Sequence, residues 1–213
     1  LAPLQSLASS LKGHFTDPRL SQLFGRYATY VGGSPYSSPA LLSLIWQAEA
    51  KGVWTVKGGM HFLARTLKKI AENRGAQFSF NTLVHRLLVT DGKISGVQLD
   101  NGENLQADIV VFNGDPRALA TGKLGPEFTK VATETKTDER SLSARVWSFA
   151  AEVQGLDLVH HNVFFANNPR EEFDAIKAGR MPTDPTIYVC AQDRGLNAAY
   201  PKRERFEIIL NAA

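Results

Sequence analysis

The chain has 213 residues, of which 43% are hydrophobic, and this is enough for one or two domains with buried cores. Its formal net charge is only +3, and its aromatic residues are not interleaved with Lys or Arg, so binding to nucleic acid is not predicted. Cys190 is the one cysteine, which excludes a disulfide framework, and no apolar run reaches the roughly 20 residues that span a bilayer.

The first 50 residues predict a helical block. Apolar residues recur at helical spacing from Leu4 to Leu11 and from Leu20 to Val31, and Asp17-Pro18 is typical of a helix start. Ser38-Pro39 predicts the start of a third helix. Two interpretations of residues 1–50 stay open: the block is a buried helical layer, or its bulky faces line a lipophilic channel or lie on a membrane surface.

Residues 51–116 predict the interior of a nucleotide-cofactor fold. A short apolar strand at residues 52–56 leads through Gly58-Gly59 into an amphipathic helix at residues 61–75. A turn-linked β-ribbon follows over residues 83–107, with Asp-Gly and Asn-Gly turns that are typical of hairpins. This order of elements predicts one segment of an α/β domain.

Two apolar segments of that region are predicted to be strands. Ile109–Phe112 is an uninterrupted apolar run, typical of a parallel strand buried on both faces. Phe78–Phe80 predicts a shorter strand, and we expect the two to pair in parallel.

Residues 117–213 predict a separate, mainly antiparallel sheet with helices. Strands are indicated within 141–153, 163–166, 186–191 and 206–210, and a short helix within 170–179. The chain is therefore expected to be α/β with α+β character, with residues 117–213 and 1–50 forming a second lobe beside the segment 51–116.

Two loops are candidate cofactor-binding sites. Gly58 and Gly59 precede a helix, where glycine lets a ligand approach the backbone and the helix N-terminus favours an anion. Asn113, Gly114 and Asp115 follow the apolar run at its carboxyl end, where ligands lie in open α/β sheets. Each loop is also explained by an ordinary turn.

No metal site and no catalytic acid or base is predicted. His160 and His161 are adjacent, and neighbours on a strand point to opposite faces, so we do not expect them to bind one ion. The chain also contains no Gly-x-Gly, the glycine-rich turn that holds the pyrophosphate of a dinucleotide.

Four blocks in order resemble a known family, and the resemblance extends over most of the chain and is strongest in residues 15–116. They are Phe15-Thr-Asp-Pro-Arg-Leu-Ser-Gln-Leu-Phe24, Tyr30-Val-Gly-Gly-Ser-Pro35, Gly52-Val-Trp with Gly58-Gly-Met60, and the stretch from Asp108 to Pro116. Together they resemble the bacterial carotenoid desaturases, which comprise the phytoene desaturases and the hydroxyneurosporene or methoxyneurosporene dehydrogenases, within the flavin amine-oxidase superfamily.

The resemblance implies a flavoprotein with a discontinuous Rossmann-like FAD domain and a lobe for a hydrophobic polyene substrate around an apolar cavity. Val84 matches the position whose backbone meets the adenine of FAD. A cytoplasmic protein, peripheral on the membrane, is implied. The alternative is a non-catalytic lipid-binding or escort protein on the same scaffold. Because the chain starts at Leu1 and lacks the fingerprint turn, we expect an internal segment that by itself is inactive and binds FAD weakly.

Overall fold

The computed structural model describes residues 5–195 and 199–213, and the chain divides into two compact units. One unit joins residues up to 53 with residues 140–213, and the other comprises residues 54–139. Helices and antiparallel sheets occur in the chain together, which is the mixed α and β character that the sequence predicts.

The amino-terminal segment is helical, as predicted. Its α-helices are α1 (Leu7–His14), α2 (Pro18–Gly25) and α3 (Ser43–Glu49), with 3-10 turns at Arg26–Val31 and Ala40–Leu42.

The start of α2 at Pro18 is confirmed, because Asp17 caps the helix by accepting a hydrogen bond of 2.9 Å from the Arg19 amide. The apolar stretch predicted as one helix up to Val31 changes at Gly25 into the tighter 3-10 form. The third helix likewise starts with a 3-10 turn before α3.

The unit formed by residues 54–139 contains one long helix and a small sheet. Helix α4 spans Met60–Glu72, and the strands β1 (Val84–Thr90), β2 (Lys93–Leu99) and β3 (Asn104–Gln106) form an antiparallel meander. A four-residue helix, α5 (Arg117–Ala120), follows. The predicted helix and the predicted ribbon are therefore confirmed.

Residues 140–213 contain the second sheet. Its strands are β4 (Ser143–Ala151), β5 (His161–Phe164), β6 (Ile187–Ala191) and β7 (Glu204–Ala212), in the order β4-β7-β6-β5 and all antiparallel, and α6 (Pro169–Lys177) lies between β5 and β6 in the chain. All four strands and the helix agree with the sequence prediction.

In the unit built from residues 5–53 and 140–213, the described residues form two hydrophobic cores. Leu7, Leu11 and Ala28 form one among the helices, and Val189, Ala191 and Phe206 form the other on one face of the sheet. The Gln22 amide donates a 2.8 Å hydrogen bond to the Ala166 carbonyl, which connects α2 to the segment after β5.

The predicted parallel pairing is wrong. Phe78–Phe80, Ile109–Phe112 and residues 52–56 are not strands, and every pair among the described residues is antiparallel. Ile109 and Val111 keep 80% and 85% of their surface exposed. An apolar run becomes a buried parallel strand only when another strand lies beside it, and among the described residues β1, β2 and β3 pair only with one another.

The boundary after residue 116 also differs from the sequence prediction. Residues 117–139 pack with residues 54–116 in one unit. The other unit, which contains the four-stranded sheet, resumes at Arg140. The Leu87 amide donates to the Leu124 carbonyl at 3.0 Å, and Arg86 pairs with Glu127 at 3.2 Å. These two contacts attach the segment to β1, and the polar composition of residues 117–139 gave no sign of them.

Candidate functional site

The Gly58-Gly59 turn leads directly into α4. Both glycines have positive φ, 90° and 81°, and a side chain on Gly59 would meet nothing within 4 Å. Within the part of the chain that the structure describes, no side chain caps the helix at Gly59. The turn therefore presents open backbone at a helix N-terminus, which suits an approaching anion without identifying one.

Val84 lies at the start of β1, half-buried, on the wall of a cavity of about 530 Å³. Val110, Val111 and Phe112 line the same cavity, so the residues that precede the Asn113 loop lie close to Val84. Gly58 and Gly59 are not among the residues described as lining this cavity. The structure thus places Val84 near the residues that precede the predicted Asn113 loop, and none of Asn113, Gly114 and Asp115 is among the residues that line the cavity.

The Asn113-Gly114-Asp115 loop is exposed and has a local structural role. The Asp115 carboxylate accepts a 3.0 Å hydrogen bond from the Arg117 amide, at the start of α5. A Cβ atom on Gly114 would lie 2.4 Å from the Phe112 ring, so only glycine allows that ring to fold back over the loop. Contact between these residues and a cofactor stays a prediction.

A second cavity, of about 260 Å³, lies in the unit that contains the second sheet. Four aromatic residues and three prolines are among the sixteen residues of its wall, and Arg26, Glu172 and Thr186 are among those that supply polar groups. Glu172 is 2% exposed and accepts hydrogen bonds from Thr186 at 2.6 Å and from Asn211 at 3.2 Å. Burial lowers the pKa of the Arg26 guanidinium, an effect that the Glu172 carboxylate opposes.

An aromatic cluster lines a third cavity of about 270 Å³ between α1, α2 and α3. Phe24 stacks on Phe15 with ring centres 5.1 Å apart and meets the edge of Trp46 at 5.7 Å. The Tyr27 hydroxyl donates a 2.7 Å hydrogen bond to Glu49. Burial, followed by that hydrogen bond, raises the pKa of Tyr27 well above its ordinary value. This cavity suits an apolar ligand with few polar groups.

Sequence reasoning missed a polar row across the second sheet. His161 pairs with Cys190, Cys190 with Glu207, and Glu207 with Ser148, so the four side chains lie side by side on one face. Burial raises the pKa of Cys190, and burial together with the neighbouring His160 lowers the pKa of His161. Alternation along each predicted strand gives the face of each residue, but the register that aligns them is not visible in the sequence.

The geometric reason for separating His160 from His161 is wrong. Strand β5 begins at His161, and His160 lies in the bend before it, so the alternation of a strand does not apply to the pair. Their rings lie 4.4 Å apart, and one nitrogen of each lies within 4.8 Å of the Cys190 sulfur.

Comparison with known proteins gives consistent matches. A family model described as flavin containing amine oxidoreductase matches residues 4–150. A hydroxyneurosporene desaturase of Cereibacter sphaeroides is 52% identical over 99% of this chain and 43% of its own length. The hydroxyneurosporene desaturase of Rhodobacter capsulatus is 47% identical with the same coverage. A phytoene desaturase of Cercospora nicotianae is 34% identical over 99% of this chain and 34% of its own length.

A crystal structure of an oxidoreductase from Methanosarcina mazei shares the fold, with a TM-score of 0.63 and 17% identity over 98% of this chain and 47% of that one. The chain thus spans less than half the length of these relatives. Among the described residues, no helix has both the length and the apolar character needed to cross a membrane.

Proposed function

Since the chain belongs to the family of flavin-containing amine oxidoreductases, we propose that it forms part of an FAD-dependent carotenoid desaturase acting on a hydroxyneurosporene-type polyene. The observation that carries this proposal is the 52% identity with a hydroxyneurosporene desaturase over 99% of the chain. Identity at this level across both units supports the same substrate class rather than the fold alone.

Two cavities in the unit that contains the four-stranded sheet support a polyene substrate. A polyene offers long apolar surface and, in a hydroxylated one, a single polar end. The aromatic cavity beside Phe24 and Trp46 has the apolar wall that such a chain needs, and the cavity beside Glu172 adds carboxylate and hydroxyl groups at one side. In this proposal these residues bind and orient the substrate and exclude water.

The unit formed by residues 54–139 fits part of a flavin dinucleotide. The cavity beside Val84, of about 530 Å³, has room for the adenosine end rather than for the whole dinucleotide, whose pyrophosphate needs a glycine-rich turn that these 213 residues do not contain. We infer that Val84 contacts the adenine, with Gly58 and Gly59 as a subsidiary backbone contact. Bound FAD would supply the chemistry, by accepting hydride from the polyene.

The activity is tested with the protein encoded by the full reading frame that contains this chain. Purified protein with added FAD is mixed with vesicles that contain a hydroxylated neurosporene, and the visible absorption of the polyene is followed. A shift to longer wavelength, from one more conjugated double bond, is the expected result. Binding of the polyene without any shift would contradict the enzyme and favour the lipid-binding alternative.

We also propose that the protein works at the cytoplasmic surface of a membrane, because its substrate dissolves in lipid. Exposed apolar side chains in and next to α3 support this, with Leu41, Leu44 and Trp46 retaining 54%, 47% and 44% of their surface. Co-sedimentation with vesicles checks the proposal. The double substitution of Leu41 and Leu44 by Ser, which leaves Trp46 in the wall of the aromatic cavity, should release the protein from the vesicles. A parent protein that stays in the supernatant at every lipid concentration would contradict the proposal.

A further inference from the structure

Three side chains that the proposed desaturase chemistry does not use meet at one edge of the second sheet. His161 and Cys190 are direct partners on β5 and β6, and β5 is an edge strand of that sheet. His160 lies in the bend just before β5, and its Nε2 is 3.8 Å from the Cys190 sulfur. Each of the three residues offers one ligand atom, and all three atoms lie within 4.8 Å of one another.

The distances suit a tetrahedral metal ion. With metal–nitrogen bonds of about 2.05 Å and a metal–sulfur bond of about 2.3 Å, a tetrahedral angle separates nitrogen and sulfur by roughly 3.6 Å. The observed separation of 3.8 Å between His160 and Cys190 is already close to this value. The His161 ring is exposed, so it can turn to shorten the remaining distances without disturbing the core.

The surroundings hold His160 in the form that a metal needs. Its Nδ1 lies 2.8 Å from the Arg194 carbonyl, and because a carbonyl only accepts, Nδ1 carries the proton and Nε2 keeps its lone pair. Arg194 is itself fixed by a buried ion pair with Glu204 at 2.6 Å. A carbonyl behind a ligating histidine is the usual outer support of a metal site.

The third ligand, His161, has a polar neighbour. The Tyr188 hydroxyl lies 2.7 Å from Nδ1 of His161. The hydroxyl therefore contacts the ligand that lies on β5.

We propose that His160, His161 and Cys190 bind one divalent ion of the zinc type, a role independent of the flavin chemistry. Imidazole and thiolate together favour zinc-like ions over magnesium or calcium, which prefer oxygen ligands. Three protein ligands leave a fourth position for water. On binding, the metal–sulfur bond replaces the S–H bond of Cys190 and the proton passes to solvent. The ion cross-links β5 to β6 at the open edge of the sheet.

The test titrates the purified, reduced chain with Co²⁺, which reports thiolate coordination by near-ultraviolet charge-transfer absorption, and then displaces it with Zn²⁺. We expect one Co²⁺ per chain and complete displacement. Cys190→Ser should abolish the charge-transfer band, and His161→Ala should weaken binding by at least about tenfold. His61→Ala removes an exposed imidazole on α4 and serves as the matched control with unchanged binding.

Because His161 is exposed, His161→Ala keeps the test decisive even if Cys190→Ser does not fold. Failure to bind Co²⁺, binding without a charge-transfer band, or equal affinity in the parent and His161→Ala would each overturn the proposal. None of these results depends on FAD or on turnover of a polyene, so the site and the proposed desaturase fail or stand separately.

Discussion

Glu172 is a buried carboxylate whose two oxygens both accept hydrogen bonds from residues outside α6. Thr186 donates to one oxygen at 2.6 Å and Asn211 to the other at 3.2 Å, while the Ala166 amide donates to the Thr186 hydroxyl at 3.2 Å. The Thr186 hydroxyl thus accepts a hydrogen bond from one buried group and donates a hydrogen bond to another.

Thr186→Val keeps the side-chain shape but removes that hydroxyl. We expect a loss of about 1–3 kcal/mol in the free energy of unfolding, because a buried carboxylate oxygen and a backbone amide both lose a partner. Urea unfolding measures the change. Thr66→Val, on the exposed surface of α4, should change stability by less than about 0.5 kcal/mol, and equal losses in both variants would contradict this role of Thr186.

Two ion pairs at the start of β7 make the free energy of unfolding depend on pH in the acidic range. Arg194 lowers the pKa of Glu204 from its ordinary 4.5, chiefly through hydrogen bonds, and Arg205 does the same to Asp193 from 3.8. A carboxyl whose pKa is lower in the folded state stabilises the fold above its unfolded pKa, and this contribution is lost as the pH falls through the folded value.

The free energy of unfolding should therefore decline as the pH drops below about 4.5. Glu204→Gln should lower the free energy of unfolding at pH 7 and make it less dependent on pH below 4.5. Glu171 is an exposed glutamate of α6, and Glu171→Gln should leave the pH dependence of the free energy of unfolding unchanged. Thermal unfolding between pH 7 and pH 3 measures both. An unaltered pH slope in Glu204→Gln would show that its ion pair does not contribute.

At the scale of elements, the β1-β2-β3 meander depends on Gly96. This residue has a φ of 152°, and a Cβ atom there would lie 2.0 Å from the Leu105 carbonyl oxygen of β3. Gly92, in the turn between β1 and β2, has a φ of 75° but open space around it. A substitution at Gly92 therefore tests backbone strain alone, whereas a substitution at Gly96 also tests a collision between strands β2 and β3.

Gly92→Ala should cost roughly 1–2 kcal/mol, which is the strain of a left-handed alanine. Gly96→Ala should cost more, above roughly 3 kcal/mol, because β3 must move away from β2. Hydrogen exchange of the β2 and β3 amides distinguishes the cases, since only Gly96→Ala should expose them. Equal protection in both variants would contradict the collision.

Local signals predicted most elements because their causes are local. Asp17-Pro18 fixes the start of α2, and the Asp91-Gly92 turn fixes the β1-β2 hairpin. The prediction of a buried strand at Ile109–Phe112 was wrong because a buried strand needs a neighbouring strand, and the apolar pattern does not specify one. The cluster of His160, His161 and Cys190 was missed for a related reason, since it depends on where β5 begins and on its register with β6.

At the scale of the whole molecule, the apolar run that was predicted to be a buried strand leaves its side chains exposed to solvent. Ile109 and Val111 are two residues apart and retain 80% and 85% of their surface. An exposed apolar segment is a site for contact with another chain. Self-association of the purified chain through this segment is therefore the expected behaviour.

The double substitution Ile109→Lys and Val111→Lys should abolish that association, because two charges on the segment oppose both edge pairing and apolar contact. Sedimentation velocity over a range of protein concentrations measures the effect: the parent chain should sediment faster as its concentration rises, and the variant should not. Leu156→Lys, at an apolar residue 62% exposed and distant in sequence, is the control and should associate like the parent. Concentration-dependent sedimentation that persists in the double variant would place the contact on another surface.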